Sequence, residues 1–193
     1  RSLDRAKRIY RRHGGMLRTS EAIRAGVQPR EIYALRDRGE LTKLRRGCYR
    51  LAELESMAEP DLAVVAKAAP KGVICLVSAL AFHGITTQIP RAVDLAMPAH
   101  SHRPKIDYPP IQIYWFSDRA HSAGVETHEV DGVRIRVYGP AKTVADCFKY
   151  RNKIGMDVAI EALRLCRRRR RTSVAELLEY AEICRVSSIL SPY

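Results

Sequence analysis

The chain has 193 residues, 46% of them hydrophobic, and its 34 Lys and Arg against 21 Asp and Glu give a formal net charge of +13. That size and apolar share allow one large packed domain or two small ones. No run approaches the ~18 consecutive apolar residues of a membrane span, and no apolar stretch follows the basic N-terminus as in a secretory signal, so a cytoplasmic location is expected. Five cysteines (Cys48, Cys75, Cys147, Cys166 and Cys184) are odd in number and contain no CxxC pair. They read as small buried hydrophobes rather than a disulfide or metal framework.

The charge is local. Residues 1–51 hold 15 Lys and Arg against five Asp and Glu, whereas the remaining residues hold 19 against 16. A small basic module in a near-neutral chain is the electrostatic footprint expected for a polyanionic partner. Within it, Leu3, Ala6, Tyr10 and His13 recur at helical spacing, Arg5, Arg8, Arg11 and Arg12 lie mostly off that stripe, and Gly14-Gly15 ends it. Thr19 is placed to cap a short second helix, with Glu21 at its positive end and Gly26 closing it. Pro29 suits the first position of a third helix that runs to Arg38 and stops at Gly39. A short helix, a tight turn and a longer helix make a helix-turn-helix.

On the third helix, Ile32 and Leu35 point one way, and Arg30, Tyr33, Ala34 and Asp37 point the other. The second set is the candidate groove face. Recognition by this motif uses the start of its second helix, which favours Gln28 for adenine N6/N7 and Arg30 for guanine O6/N7. Tyr33 is placed for a thymine methyl or a phosphate, and Asp37 completes the major-groove set. Leu41 to Leu51 then forms two alternating runs about Arg45-Arg46-Gly47, the pattern of a β-hairpin wing. With Leu44, Tyr49 and Leu51 inward, Lys43, Arg45 and Arg50 fall outside and Arg46 sits at the tip, positions suited to phosphates. A solvated helix face and a solvated basic hairpin are the alternative readings.

Glu53 to Pro60 is acidic and without period, which marks a domain boundary. Leu62, Val65 and Ala69 suggest a helix. Val73 to Val77, Val93 to Met97, Ile111 to Phe116, Val125 to Val130 and Val133 to Tyr138 read as strands, with Asp131-Gly132 as a hairpin turn between the last two. Ser78 suits the cap of a short helix closed by Gly84, and Pro140 opens another through Val144, Cys147 and Phe148. Further on, Ala159, Ala162, Leu163 and Cys166 form one helical stripe, and Ser173 with Glu176 makes a capping box ahead of Val174, Leu177, Leu178 and Ala181. Between these two helices stand Arg167, Arg168, Arg169, Arg170 and Arg171, read either as a solvated helix end or as a secondary basic patch for nucleic acid or an acidic protein. The expected class is α+β. A winged helix-turn-helix over 1–55 precedes a mixed α/β domain over 60–193, whose sheet is mixed or antiparallel and whose C-terminal end is helical.

No Gly-rich phosphate loop, GxSxG elbow or HExxH helix is present. His100 and His102 lack the further ligands of a metal site. Asp94 and Lys142 lack the strand spacing of a nuclease, and Ser78, His83 and Asp94 lack the turn that exposes a hydrolytic nucleophile. No catalytic residue, metal or cofactor is assigned, and the chain is expected not to be an enzyme.

Four segments taken in order resemble the AbiEi-type antitoxin family: Leu35-Arg36-Asp37-Arg38-Gly39-Glu40-Leu41, Leu44-Arg45-Arg46-Gly47-Cys48-Tyr49-Arg50-Leu51, Ser78-Ala79-Leu80-Ala81-Phe82-His83-Gly84, and Pro140-Ala141-Lys142-Thr143-Val144-Ala145-Asp146-Cys147. Lys142 stands where the related pattern often has Arg. The resemblance implies a winged-helix domain that represses a toxin–antitoxin operon, and a C-terminal domain required to counteract a nucleotidyltransferase-like toxin of a type IV system. The expected partners are double-stranded operator DNA, with inverted repeats as one arrangement, and a cognate toxin. A metal-dependent nuclease targeted by the winged helix, and a pure protein-interaction module, are the alternative functions.

Overall fold

The computed structural model describes residues 2–53, 60–130 and 132–193. The chain divides into two compact units, residues 1–67 with 129–134 and residues 68–128 with 135–193. Most of the acidic boundary expected over Glu53–Pro60 lies outside the described residues, as do Asp131 of the hairpin turn and the side chain of Arg45.

In the first unit α1 (Ser2–Arg12) buries Ala6 and Tyr10, while His13, at the end of its expected stripe, is exposed. Gly14 and Gly15 both adopt positive φ, which ends the helix and turns the chain into β1 (Met16–Arg18). Then follow α2 (Thr19–Arg24), α3 (Pro29–Asp37), β2 (Leu41–Arg45) and β3 (Cys48–Leu51). The three strands form an antiparallel sheet in the order β1-β3-β2, with Met16 opposite Arg50 and Leu41 opposite Leu51. Ala22, Val27, Ile32, Leu35, Leu41 and Leu51 share the core with α1.

The expected cap at Thr19 is corrected. Because β1 runs directly into α2, Arg18 is the extended residue at the N-cap, and Thr19 is already helical. The Arg18 amide donates to Glu21 Oε2 at 2.8 Å, so an acidic side chain satisfies a free donor of the helix start. Residues Pro60–Lys67 of α4 (Pro60–Ala68) group with this first unit, although the sequence reading begins the second domain at 60. Lys67 Nζ donates to the Met16 carbonyl at 2.6 Å.

The second unit is built on a five-stranded mixed sheet of order β6-β5-β4-β8-β7. Its strands are β4 (Val73–Ile74), β5 (Val93–Pro98), β6 (Ile111–Phe116), β7 (Val125–Val130) and β8 (Val133–Tyr138). β4 runs antiparallel to β5 and parallel to β8, and β5 runs parallel to β6. The strand expected over Val73–Val77 is cut to two residues, because Leu76 takes a positive φ of 44° and the chain enters α5 (Leu76–Phe82) with Cys75 at its N-cap. Ser78 therefore lies inside this helix rather than at its cap. After α6 (Asp118–Ser122) the helical end comprises α7 (Pro140–Lys149), α8 (Arg151–Ile154), α9 (Met156–Arg168), α10 (Val174–Ile183) and α11 (Ser187–Leu190). Every residue from Ala141 to Phe148 of α7 is buried, so this helix is the centre of the unit, and α5, α9 and α10 pack on it.

Candidate nucleic-acid interface

Two local devices set the start of α3. Gln28 is the extended residue at its N-cap and Pro29 supplies a prearranged first turn. The Gln28 amide donates to Glu31 Oε2 at 2.8 Å, and Glu31 is itself buried, with Arg5 Nη2 3.8 Å away. The backbone at Gln28 is thus held while its side chain stays exposed. Ile32 and Leu35 are fully buried, and Arg30, Tyr33 and Asp37 are exposed on the outer face.

A residue outside the expected set organises that face. The Arg36 guanidinium lies 5.2 Å from the centre of the Tyr33 ring and bonds Asp37 Oδ1 at 2.7 Å. Asp37 is therefore occupied by its neighbour and serves to orient Arg36. The pairing depends on side-chain conformers, and the only sequence signal for it is the adjacency of the two charges.

The wing turns at Gly47, whose φ of +70° suits a residue without a Cβ. The Thr19 amide donates to the Gly47 carbonyl at 2.8 Å, which ties the tip of the hairpin to the start of α2. Lys43 and Arg46 are exposed. Arg45 pairs with Cys48 across a bulge in the ladder, and its side chain lies outside the described residues. Arg50 is corrected. It is only 8% exposed, because β1 makes β3 the central strand and all four β3 residues are covered.

The charges sort in the same way. On α1, Lys7 bonds Glu40 and Arg11 bonds Glu53, each at 2.7 Å, and the Arg11 guanidinium holds the Glu53 carboxyl below its usual range. Among the described residues Arg30, Lys43 and Arg46 have no acidic partner. The positive charge of α1 is partly compensated within the module, whereas Arg30 on α3 and Lys43 and Arg46 on the wing face outward.

Residues 4–52, the helix-turn-helix with its wing, match the family described as "Transcriptional regulator, AbiEi antitoxin". The N-terminal module is similar to that family. The match covers α1 through β3, about a quarter of the chain. Over the longer chain the fold is similar to that in the crystal structure of the RV2827C protein from Mycobacterium tuberculosis, with a TM-score of 0.59 and 14% identity. That likeness covers 96% of this chain and 74% of the other. A search of the curated proteins finds no match.

In the second unit, the residues considered for chemistry are engaged otherwise. Ser78 Oγ accepts from the Asp94 amide at 2.9 Å and donates to the Ala92 carbonyl at 3.2 Å, and the Ser78 amide reaches Asp94 Oδ2 at 3.4 Å. His83, the third member of the considered triad, instead places Nε2 2.8 Å from the Tyr138 carbonyl, and burial lowers its pKa. Lys142 is paired with Asp146 at 2.6 Å in the core. His100 and His102 are exposed, and the described residues contain no group of three or more His, Cys, Asp or Glu side chains fit to hold a metal. All five cysteines are buried. No described helix is long and apolar enough to cross a membrane.

Arg167 to Arg171 are exposed at the end of α9. Arg170 adopts φ +51° and the Arg171 amide donates to the Cys166 carbonyl, so the run closes the helix. Arg169 donates to the Gly84 carbonyl.

Proposed function

We propose that this protein is a sequence-specific DNA-binding repressor, the antitoxin of a toxin–antitoxin pair that controls its own operon by covering the promoter and counteracts a nucleotidyltransferase-like toxin. The reading rests on one arrangement: exposed Gln28, Arg30 and Tyr33 on a rigidly set α3, beside Lys43 and Arg46 on a wing bonded to α2. Gln28 and Arg30 meet base edges, Tyr33 and Arg36 lie along the groove, and Lys43 and Arg46 hold phosphates. Repression by occlusion requires no chemistry, and the engagement of Ser78, Asp94 and Lys142 with other groups supports a non-catalytic role.

A gel-shift titration on the DNA upstream of the gene tests this reading. Binding is expected to prefer that DNA over scrambled sequence, and log affinity is expected to fall with log salt by roughly 0.9 for each phosphate contacted. Affinity that ignores both sequence and salt overturns it.

A further inference from the structure

Two turns along α3 from Arg30, the outer face carries a group whose chemistry differs from that of the wing. Arg36 Nε and Nη2 both bond Asp37 Oδ1, at 2.8 and 2.7 Å, and the same guanidinium lies over the Tyr33 ring. All three side chains are exposed. The guanidinium is thus held along one edge by a carboxylate and on one face by a ring without being taken out of solvent. A cation on its own suits phosphate as well as a base edge, but this one carries a carboxylate at the same point, and a carboxylate repels phosphate. The bond to Arg36 uses Asp37 Oδ1, so the group presents donors and an acceptor side by side. A G·C pair presents the opposite pattern in the major groove: guanine O6 and N7 accept, and cytosine N4 beside them donates.

We propose that Arg36 and Asp37 together read one G·C base pair, Arg36 on the guanine and Asp37 on the cytosine, with Tyr33 positioning Arg36. Asp37 follows Arg30 by two helical turns and lies on the same side of α3. At 1.5 Å of rise per residue the two stand about 10 Å apart along the helix axis. With base pairs stacked about 3.4 Å apart, the pair read by Arg36 and Asp37 lies about three steps from the one that Arg30 meets. The inference rests on the DNA-binding reading and adds a sequence pattern to it: two G·C pairs at a spacing set by the helix.

The test titrates the full chain and its variants against the bound segment of the upstream DNA, and against duplexes in which each base pair is changed in turn, at several salt concentrations. Two positions about three base pairs apart are expected to demand G·C. Arg36→Ala is expected to bind the unaltered duplex about tenfold more weakly and to lose the preference at one of these positions, while the position read by Arg30 keeps its own. Arg36→Lys retains the charge without the fork and is expected to lose the same preference. Asp37→Ala releases the guanidinium to phosphate. It is expected to bind scrambled DNA more tightly and to steepen the fall of log affinity with log salt by roughly 0.9, a change that a merely structural carboxylate would not produce. Thermal unfolding at the native temperature shows that each variant keeps its fold. If Arg36→Ala weakens every duplex equally and flattens the salt slope, Arg36 holds phosphate, and if it changes no preference, the pair is a solvated one. Either result overturns the proposal and leaves the DNA-binding reading standing. A native chain with no base preference at any position overturns both.

Discussion

Lys142 Nζ lies 2.6 Å from Asp146 Oδ2, one turn along α7, and neither side chain reaches solvent. The ammonium also faces the ring of Tyr138 at 4.1 Å and that of Phe116 at 4.9 Å. Cys184 Sγ donates to the other carboxylate oxygen at 3.2 Å. Burial pushes the Asp146 carboxyl up, against the pull of Lys142 and the thiol. Two charges taken out of water offset their desolvation only while each keeps the other, so removing one is far worse than removing both. Lys142→Met is expected to cost about 3–5 kcal/mol in urea unfolding at neutral pH. Lys142→Met with Asp146→Leu is expected to cost clearly less than Lys142→Met alone. A double variant as unstable as the sum of its singles would show that the pair is not coupled.

Asp94 gives a second test through pH. It is 8% exposed, and burial pushes its pKa up from 3.8 to about 6, against hydrogen bonds from the Ser78 and Val77 amides. A raised acid pKa in the folded state means that the stabilising contribution is complete below pH ~4 and is lost as pH rises through about 6. Asp94→Asn keeps an oxygen for the Ser78 amide and removes the buried charge. At neutral pH the variant is expected to gain up to about 3 kcal/mol over the native chain, and the gain is expected to vanish near pH 4. Paired denaturation curves across that range check it, and a difference constant with pH would contradict it.

The parts of the fold legible in the sequence are those with a strong local period or a backbone-fixing residue. β6, β7 and β8 have the bounds their alternation indicates, and Pro29 and Gly39 bracket α3 because one fixes a helical φ and the other takes φ +71°. β1 leaves no mark in the sequence, since three residues hold no period and the strand exists only through its ladder to β3. Without β1, β3 reads as half of a solvent-facing hairpin and Arg50 as an outward cation. The apolar run from Val73 to Val77 hid a helix start, because a long apolar stretch fits a buried strand or helix equally well and Leu76 is not a residue type that announces positive φ. Exposure of Arg30 and Lys43 followed from simple periods, whereas the Tyr33, Arg36 and Asp37 cluster depends on how side chains fold over one another.

Arg50 separates structure from recognition. Its aliphatic stem is enclosed on the central strand of the small sheet, so its truncation removes packing as well as charge. Arg50→Ala is expected to cost about 1–3 kcal/mol of stability in the first unit. The affinity of the folded fraction for DNA is expected to be unchanged. Thermal unfolding together with active-fraction-corrected binding measures both, and loss of affinity at full stability would return Arg50 to the phosphate-binding set.

The two arms of the interface are expected to fail differently. Arg30 projects from the first turn of α3, where a guanidinium can take both acceptors of a guanine edge, and such a bidentate contact is worth about 1–3 kcal/mol of discrimination. Lys43 and Arg46 sit on the wing, whose tip is held against α2 by the bond from Thr19 to Gly47, and contacts from there to phosphate carry no base information. Arg30→Ala is therefore expected to lose affinity for the preferred site while binding scrambled DNA nearly as before. Lys43→Ala and Arg46→Ala are expected to weaken both alike, each lowering the slope of log affinity against log salt by roughly 0.9. Titrations on matched and scrambled duplexes at several salt concentrations resolve the two patterns. If Arg30→Ala weakened both duplexes equally and flattened the salt slope, α3 would be holding backbone, and base reading would have to be sought elsewhere on the module.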